Sequence, residues 1–313
     1  MQYGSWRFLA ASVVSIGFAI APAWQLVREP GSGCWPPRCE GDRLPLATPV
    51  VAHAGKLLMI GDGAAPQHGY ESHDGKTWRA FEHDAAWGKR YKAADASFAG
   101  AIWRVGGWVE ENGRRIAMND VWRSTDGRRW EHVLASAPWP PRSDAHLVVF
   151  RDTLWLLGGE PHDSRLWLTS DGRNWIARDA ASVPRANPQG VLVFHDALWI
   201  IGHGAWTNAT NDVWTSTDGS RWLRATASAE WPARTGAGFA VLDNRLWIVA
   251  GAGYRDAWSS SDGRTWQRSA AEIPGPPRSA EYSALFQNAF WVFGGKTGGA
   301  GGTGFWDGVV SLK

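Results

Sequence analysis

The 313-residue sequence predicts an all-β fold, a six-bladed β-propeller whose ring is closed by an N-terminal strand completing the last blade. Three observations carry that expectation. A hairpin signature, Ser/Thr-x-Asp-Gly-x-x-Trp, occurs five times, at residues 72–78, 124–130, 169–175, 216–222 and 260–266. Six apolar segments ending in small residues accompany it, beginning at Leu57, Ile102, Leu154, Leu198, Leu246 and Phe290. Arginines 38, 90, 142, 185, 234 and 278 open successive units at intervals of about 43 to 52 residues, the length of a four-stranded blade.

In chain order, residues 1–23 read as a secretory signal: Arg7, an apolar run from Phe8 to Ala21, and Ala21-Pro22-Ala23 as a small-x-small cleavage site. The run is short for a membrane span, which needs about 20 residues, so an uncleaved anchor is the lesser alternative. We therefore expect a periplasmic or secreted protein with no membrane association beyond that segment. Residues 24–313 form the propeller. Trp24-Gln-Leu-Val before Cys34-Trp-Pro-Pro-Arg38 repeats the pattern of Trp130-Glu-His-Val before Pro138-Trp-Pro-Pro-Arg142, so the mature chain opens on an orphan fourth strand. The last unit supplies only three strands, near 282–286, 290–295 and 309–312, and pairing Trp24–Arg28 with the last of them removes two exposed sheet edges. Cys34 and Cys39 are the only cysteines, and in an exported protein they are expected to form a disulfide worth roughly 2 kcal/mol, with two free thiols as the alternative. They do not suggest a zinc site, which wants four ligands at matched spacing.

Within each unit, Asp-Gly between apolar runs marks a hairpin. A three-residue loop of Thr125, Asp126 and Gly127, with Gly127 left-handed, would set Trp122 opposite Trp130 on one face. The 23 tryptophans fall into register: 19 of them recur at four positions of the repeat and read as packing between blades. Net charge is +2, without the basic excess that nucleic-acid binding calls for. Inserts at 108–118, 205–210 and 296–304 differ in length between units, and variable loops on a regular scaffold are where a partner-specific surface is expected.

The glycine-ending strands, the later strand-borne tryptophans at 122, 167, 214 and 258, and the closing Pro-Arg resemble the kelch-repeat, galactose oxidase-like propellers over nearly all of the mature chain. That resemblance implies the fold and leaves activity open, because such propellers include adaptor domains, copper radical oxidases and a periplasmic sialic-acid mutarotase. The copper chemistry needs a tyrosine cross-linked to cysteine, which two cysteines in the first loop do not offer, and no cofactor or metal is expected. The hairpins also resemble the sialidase Asp-box, which carries one more residue between Asp and Gly.

Connections between blades place Arg90, Arg142, Arg185, Arg234 and Arg278 near one rim, with Arg38 diverted by the disulfide. They could clamp a carboxylate or phosphate, or they could tie the repeat together by pairing with Asp120, Asp212 and Asp256. Residues that break the repeat are sharper candidates. Two and four positions after the opening arginine the units carry Lys92 and Ala94, Asp144 and His146, Asn187 and Gln189, Gly236 and Gly238, and Ala280 and Tyr282. Asp144 with His146, and Glu281 with Tyr282, could hold a sugar or move a proton on one. The expected function is an exported binding module for sugar or cell-envelope ligands at the ring mouth, acting as a monomer. A periplasmic sugar mutarotase or epimerase, or a protein-interaction scaffold, is the alternative.

Overall fold

The computed structural model describes residues 23–28, 49–61, 68–161, 165–180, 182–184, 187–205, 207–251, 253–279, 282–297 and 304–313. The expected signal segment up to residue 22, both cysteines and their expected bond, Arg38, Arg185 and Glu281 lie outside the described residues. Everything described is strand or connection, and among the described residues no helix is long and apolar enough to cross a membrane.

Six four-stranded antiparallel sheets follow one another along the chain. The first holds β2 (Val50–His53), β3 (Lys56–Ile60), β4 (His68–Ser72) and β5 (Arg79–Glu82). The second holds β7 (Ala94–Phe98), β8 (Ala101–Val105), β11 (Val121–Ser124) and β12 (Glu131–Leu134), and the third β13 (Ser143–Phe150), β14 (Thr153–Glu160), β15 (Arg165–Thr169) and β16 (Ile176–Asp179). The fourth is β17 (Pro188–Phe194), β18 (Ala197–His203), β19 (Val213–Ser216) and β20 (Leu223–Thr226), and the fifth β21 (Gly238–Leu242), β22 (Arg245–Val249), β23 (Ala257–Ser260) and β24 (Gln267–Arg268). The sixth runs β25 (Ser283–Phe286), β26 (Ala289–Thr297), β27 (Gly304–Leu312) and then β1 (Trp24–Arg28), in the order β25-β26-β27-β1. The expected pairing of Trp24–Arg28 with the last strand is present, with Trp24 opposite Leu312 and Leu26 opposite Val310. The first strands touch in the sequence β2, β7, β13, β17, β21, β25, and β25 touches β2.

Hydrophobic clusters lie between neighbouring sheets rather than within them. Trp103 and Val121 of the second sheet pack with Leu154 and Leu156 of the third, and Leu57 and Met59 of the first with Trp291 and Val309 of the sixth. The hairpin glycines explain how closely the sheets approach. Gly172 has φ +72°, and a Cβ there would stand 2.0 Å from the Trp103 ring of the preceding sheet, so both conformation and space require glycine. Gly219 faces Trp155, Gly263 faces Trp199 and Gly75 faces Trp291 in the same manner.

Gly127 is left-handed as expected, at φ +82°, but the three-residue loop is not formed. Strand β11 ends at Ser124 and β12 begins at Glu131, because side chains close the turn. Ser124 Oγ accepts the Gly127 N–H at 2.8 Å, and Asp126 Oδ1 accepts those of Arg128 and Arg129 at 2.7 and 2.9 Å. With its donors satisfied, the turn needs no further ladder. Trp122 therefore lies opposite His132, stacked on it at 4.1 Å, and not opposite Trp130. Both tryptophans instead stand edge-on to Trp87, at 5.4 and 4.8 Å.

A buried histidine gives this packing a pH dependence. His83 lies 5.1 Å from Trp87 and its Nε2 has no partner among the described residues. Burial, and secondarily the Arg104 cation, push its pKa down to about 4 against a weaker pull from Asp84. The unfolded chain takes up that proton first, so stability falls as pH drops from about 6.5 to about 4, by on the order of 3 kcal/mol, and the term is constant below. Thermal midpoints measured across that window should fall less steeply in His83→Gln than in the parent. Parallel curves would show that His83 does not carry the effect.

Candidate functional site

A cavity of about 650 Å³ opens among the starts of the first strands, lined by residues from all six sheets or the connections leading into them. Its walls are built where the repeat breaks. Two positions after the opening arginine the chain takes a left-handed turn, at Lys92 (φ +55°), Asp144 (φ +56°) and Gly236 (φ +64°). Lysine and aspartate rarely adopt this conformation, and such strain collects at functional sites. The Asp144 N–H donates to the Lys92 carbonyl at 3.1 Å, and Lys92 Nζ lies 3.5 Å from Asp144 Oδ1. Ser143 Oγ–H donates to Asp144 Oδ2 at 2.9 Å.

His146 sits two residues along β13, and both it and Asp144 line the cavity. Its Nε2 lies 2.9 Å from the Pro188 carbonyl, which can only accept, so Nε2 carries the proton and Nδ1 is left as an acceptor. Burial holds its pKa below the ordinary histidine value, against the Pro188 carbonyl and Asp144, which raise it. His146 is therefore neutral at pH 7. Beside Pro188, Gln189 donates from Nε2 to the Gly204 carbonyl at 2.5 Å, and Tyr282 is buried in the wall.

The opening arginines stand elsewhere. Arg90, Arg142, Arg234 and Arg278 are buried, none lines the cavity, and the expected convergence of guanidinium groups at the rim gives way to the tying role. Each donates to a carbonyl at the end of its unit's second strand: Gly106, Gly158, Ala250 and Gly294, at 2.9 to 3.1 Å. The second small residue there makes room, since a Cβ at Gly107, Gly159 or Gly295 would press to 3.0–3.2 Å from the arginine Cδ. Arg90 pairs with both oxygens of Asp120 at 2.6 and 2.8 Å, and Arg234 pairs likewise with Asp256. Arg278 has Gly308 where Arg90 and Arg234 meet aspartate and lies 3.9 Å over the Trp306 ring instead. Asp212 meets no arginine among the described residues. His203, in place of the second glycine, reaches it at 3.2 Å.

Sequence reasoning missed three features of the site. Arg104 interrupts an apolar segment where the other units carry methionine, leucine, isoleucine or valine, and that break was the available signal. It holds Asp95 at 2.8 and 2.6 Å beneath the cavity and donates to carbonyls of the first sheet. The insert of the second unit forms a hairpin, β9 (Trp108–Glu111) and β10 (Arg114–Ala117), paired to β6 (Arg90–Tyr91). On it Tyr91 stacks on Trp108 at 4.3 Å and the Arg115 guanidinium lies 4.6 Å over Trp108, bringing Arg115 to the cavity. Glu160, the last residue of β14, completes that side. Among the described residues, no three His, Cys, Asp or Glu side chains converge as a metal-binding set.

An all-strand chain of several four-stranded antiparallel sheets around a polar cavity defines a β-propeller-like protein. Among solved structures, the chain is similar to the structure of YjhT, with a TM-score of 0.69 and 15% identity over 86% of this chain and 98% of that one. That likeness shows the fold. No protein-family model matches the chain, and no curated protein does.

Proposed function

We propose that the protein is an exported, six-bladed kelch-type propeller that binds carbohydrate, free or as cell-envelope material, at the mouth of its ring. The order of contacts among the first strands and the pairing of Trp24–Arg28 with β27 support the six-bladed ring. The observation that carries the binding reading is the cavity itself. Its volume of about 650 Å³ lies within the range typical of small-molecule sites. Its polar groups come from positions where the units differ, so repeat packing does not account for them. Neutral donors and acceptors such as His146 Nδ1 suit hydroxyl groups better than an ion. A second reading, a mutarotase- or epimerase-like enzyme, draws on one observation: a neutral histidine with an open nitrogen, two residues from a carboxylate, could relay a proton at an anomeric centre.

The test is a thermal-shift screen of the chain from Trp24 against mono- and disaccharides, with His146→Ala beside the parent. A sugar at 100 times its dissociation constant adds about 2.7 kcal/mol, an easily read shift. Loss of that shift in His146→Ala is expected. If no sugar moves the midpoint, the carbohydrate reading fails and a protein partner on the inserts takes its place. Anomer exchange by a bound sugar, abolished in the same variant, would select the enzyme reading.

A further inference from the structure

The charges of the cavity are confined to one side. Lys92, Asp95, Arg115, Asp144 and Glu160 all come from the second and third units, and the described lining contributed by the remaining units carries no charged side chain. Three of the five are already satisfied. Asp95 is held by Arg104 through two hydrogen bonds, and Lys92 lies against Asp144 at 3.5 Å. Arg115 and Glu160 are left, one of each sign, both exposed and neither in an ion pair with any described residue. Neither position follows from the repeat. Arg115 belongs to the hairpin inserted in the second unit, and Glu160 ends a strand of eight residues where β8 and β22 have five, β18 seven and β26 nine.

Arg115 is also held in place. Its guanidinium is 4.6 Å over the Trp108 ring, and Trp108 is backed by Tyr91 at 4.3 Å with 18° between planes. A guanidinium fixed by one face keeps its edge N–H groups for a planar anion and loses little conformational freedom on binding. Glu160 on the same side would repel that anion and attract an ammonium group.

We infer that the ligand is dipolar: a saccharide bearing a carboxylate and an ammonium group, the first met by Arg115 and the second by Glu160, with its uncharged body against the neutral wall beyond. This rests on the carbohydrate reading and adds the ligand's charge pattern to it. Four probes separate the contributions: muramic acid carries both charges, N-acetylmuramic acid only the carboxylate, glucosamine only the ammonium, and glucose neither.

Calorimetric titration of the chain from Trp24 should give muramic acid the lowest dissociation constant, at least tenfold below that of either singly charged sugar. Arg115→Met keeps a side chain over Trp108 and should erase the advantage of muramic acid over glucosamine. Glu160→Gln should erase its advantage over N-acetylmuramic acid. Both side chains are exposed, so thermal midpoints should match the parent and a lost preference will not reflect misfolding. If all four sugars bind alike, or the preference survives in both variants, the dipolar inference is overturned while the carbohydrate reading stands. If none binds the parent, both fall.

Discussion

Deleting residues 305–313 is expected to leave a chain that is insoluble or melts without a cooperative transition. Strand β27 lies inside its sheet, with β26 on one side and β1 on the other, so its loss strips pairing from both. Val309, Val310 and Leu312 are fully buried and serve two different clusters, one toward the fifth sheet and one toward the first. Removing three such side chains forfeits roughly 6 kcal/mol of burial at about 2 kcal/mol each, and the two bared edges invite aggregation. The total is comparable to the whole stability of an ordinary domain. Calorimetry and sedimentation of the truncated chain decide it: a soluble monomer with one sharp transition would refute the seam.

The second large effect is expected at Asp120. Its carboxylate takes both Arg90 bonds and the Trp122 Nε1–H at 2.7 Å, with the paired side chains 2% and 5% exposed. Asp120→Ala leaves the guanidinium buried against one carbonyl, a loss of about 3–5 kcal/mol in urea unfolding. The double variant Arg90→Met with Asp120→Leu should recover part of that loss, because an apolar pair of similar volume removes the buried charge while leaving the Trp122 Nε1–H and the Gly106 carbonyl without their partner. Asp144→Asn at the cavity mouth should stay within about 0.5 kcal/mol of the parent. A small effect at Asp120 would mean that water reaches the pair.

Much of this arrangement was legible in the sequence, because a repeat converts spacing into position. The five Asp-Gly hairpins, the glycine-ending strands and the regularly placed arginines each mark an element the structure contains. Why glycine and arginine recur together was not legible, since the reason is the close approach of Gly107 to the Tyr91 carbonyl and the Arg90 Cδ across a strand end. The loop at Ser124–Trp130 was misread because hairpin counting assumes backbone closure, and here Ser124 and Asp126 close the turn with side-chain oxygens. Asp144, His146 and Tyr282 were found as departures from the repeat, and the structure sets all three around one cavity. Arg115 escaped the same logic. It lies in an insert whose length and sequence differ from those of the other units, and only folding back of the hairpin onto Tyr91 brings it to the mouth.

The contacts between hairpin glycines and neighbouring tryptophans run in one direction: the second, third, fourth and sixth sheets each offer a ring to the sheet that follows. A surface with a knob on one side and a socket on the other is a head-to-tail interface, the kind that strings separate molecules into filaments when it is left open. Here Trp291 of the last sheet fills the socket at Gly75 of the first. That contact occupies a knob and a socket that would otherwise be open to other molecules, and a lesion loosening the packing of the first sheet on the sixth would free both at once.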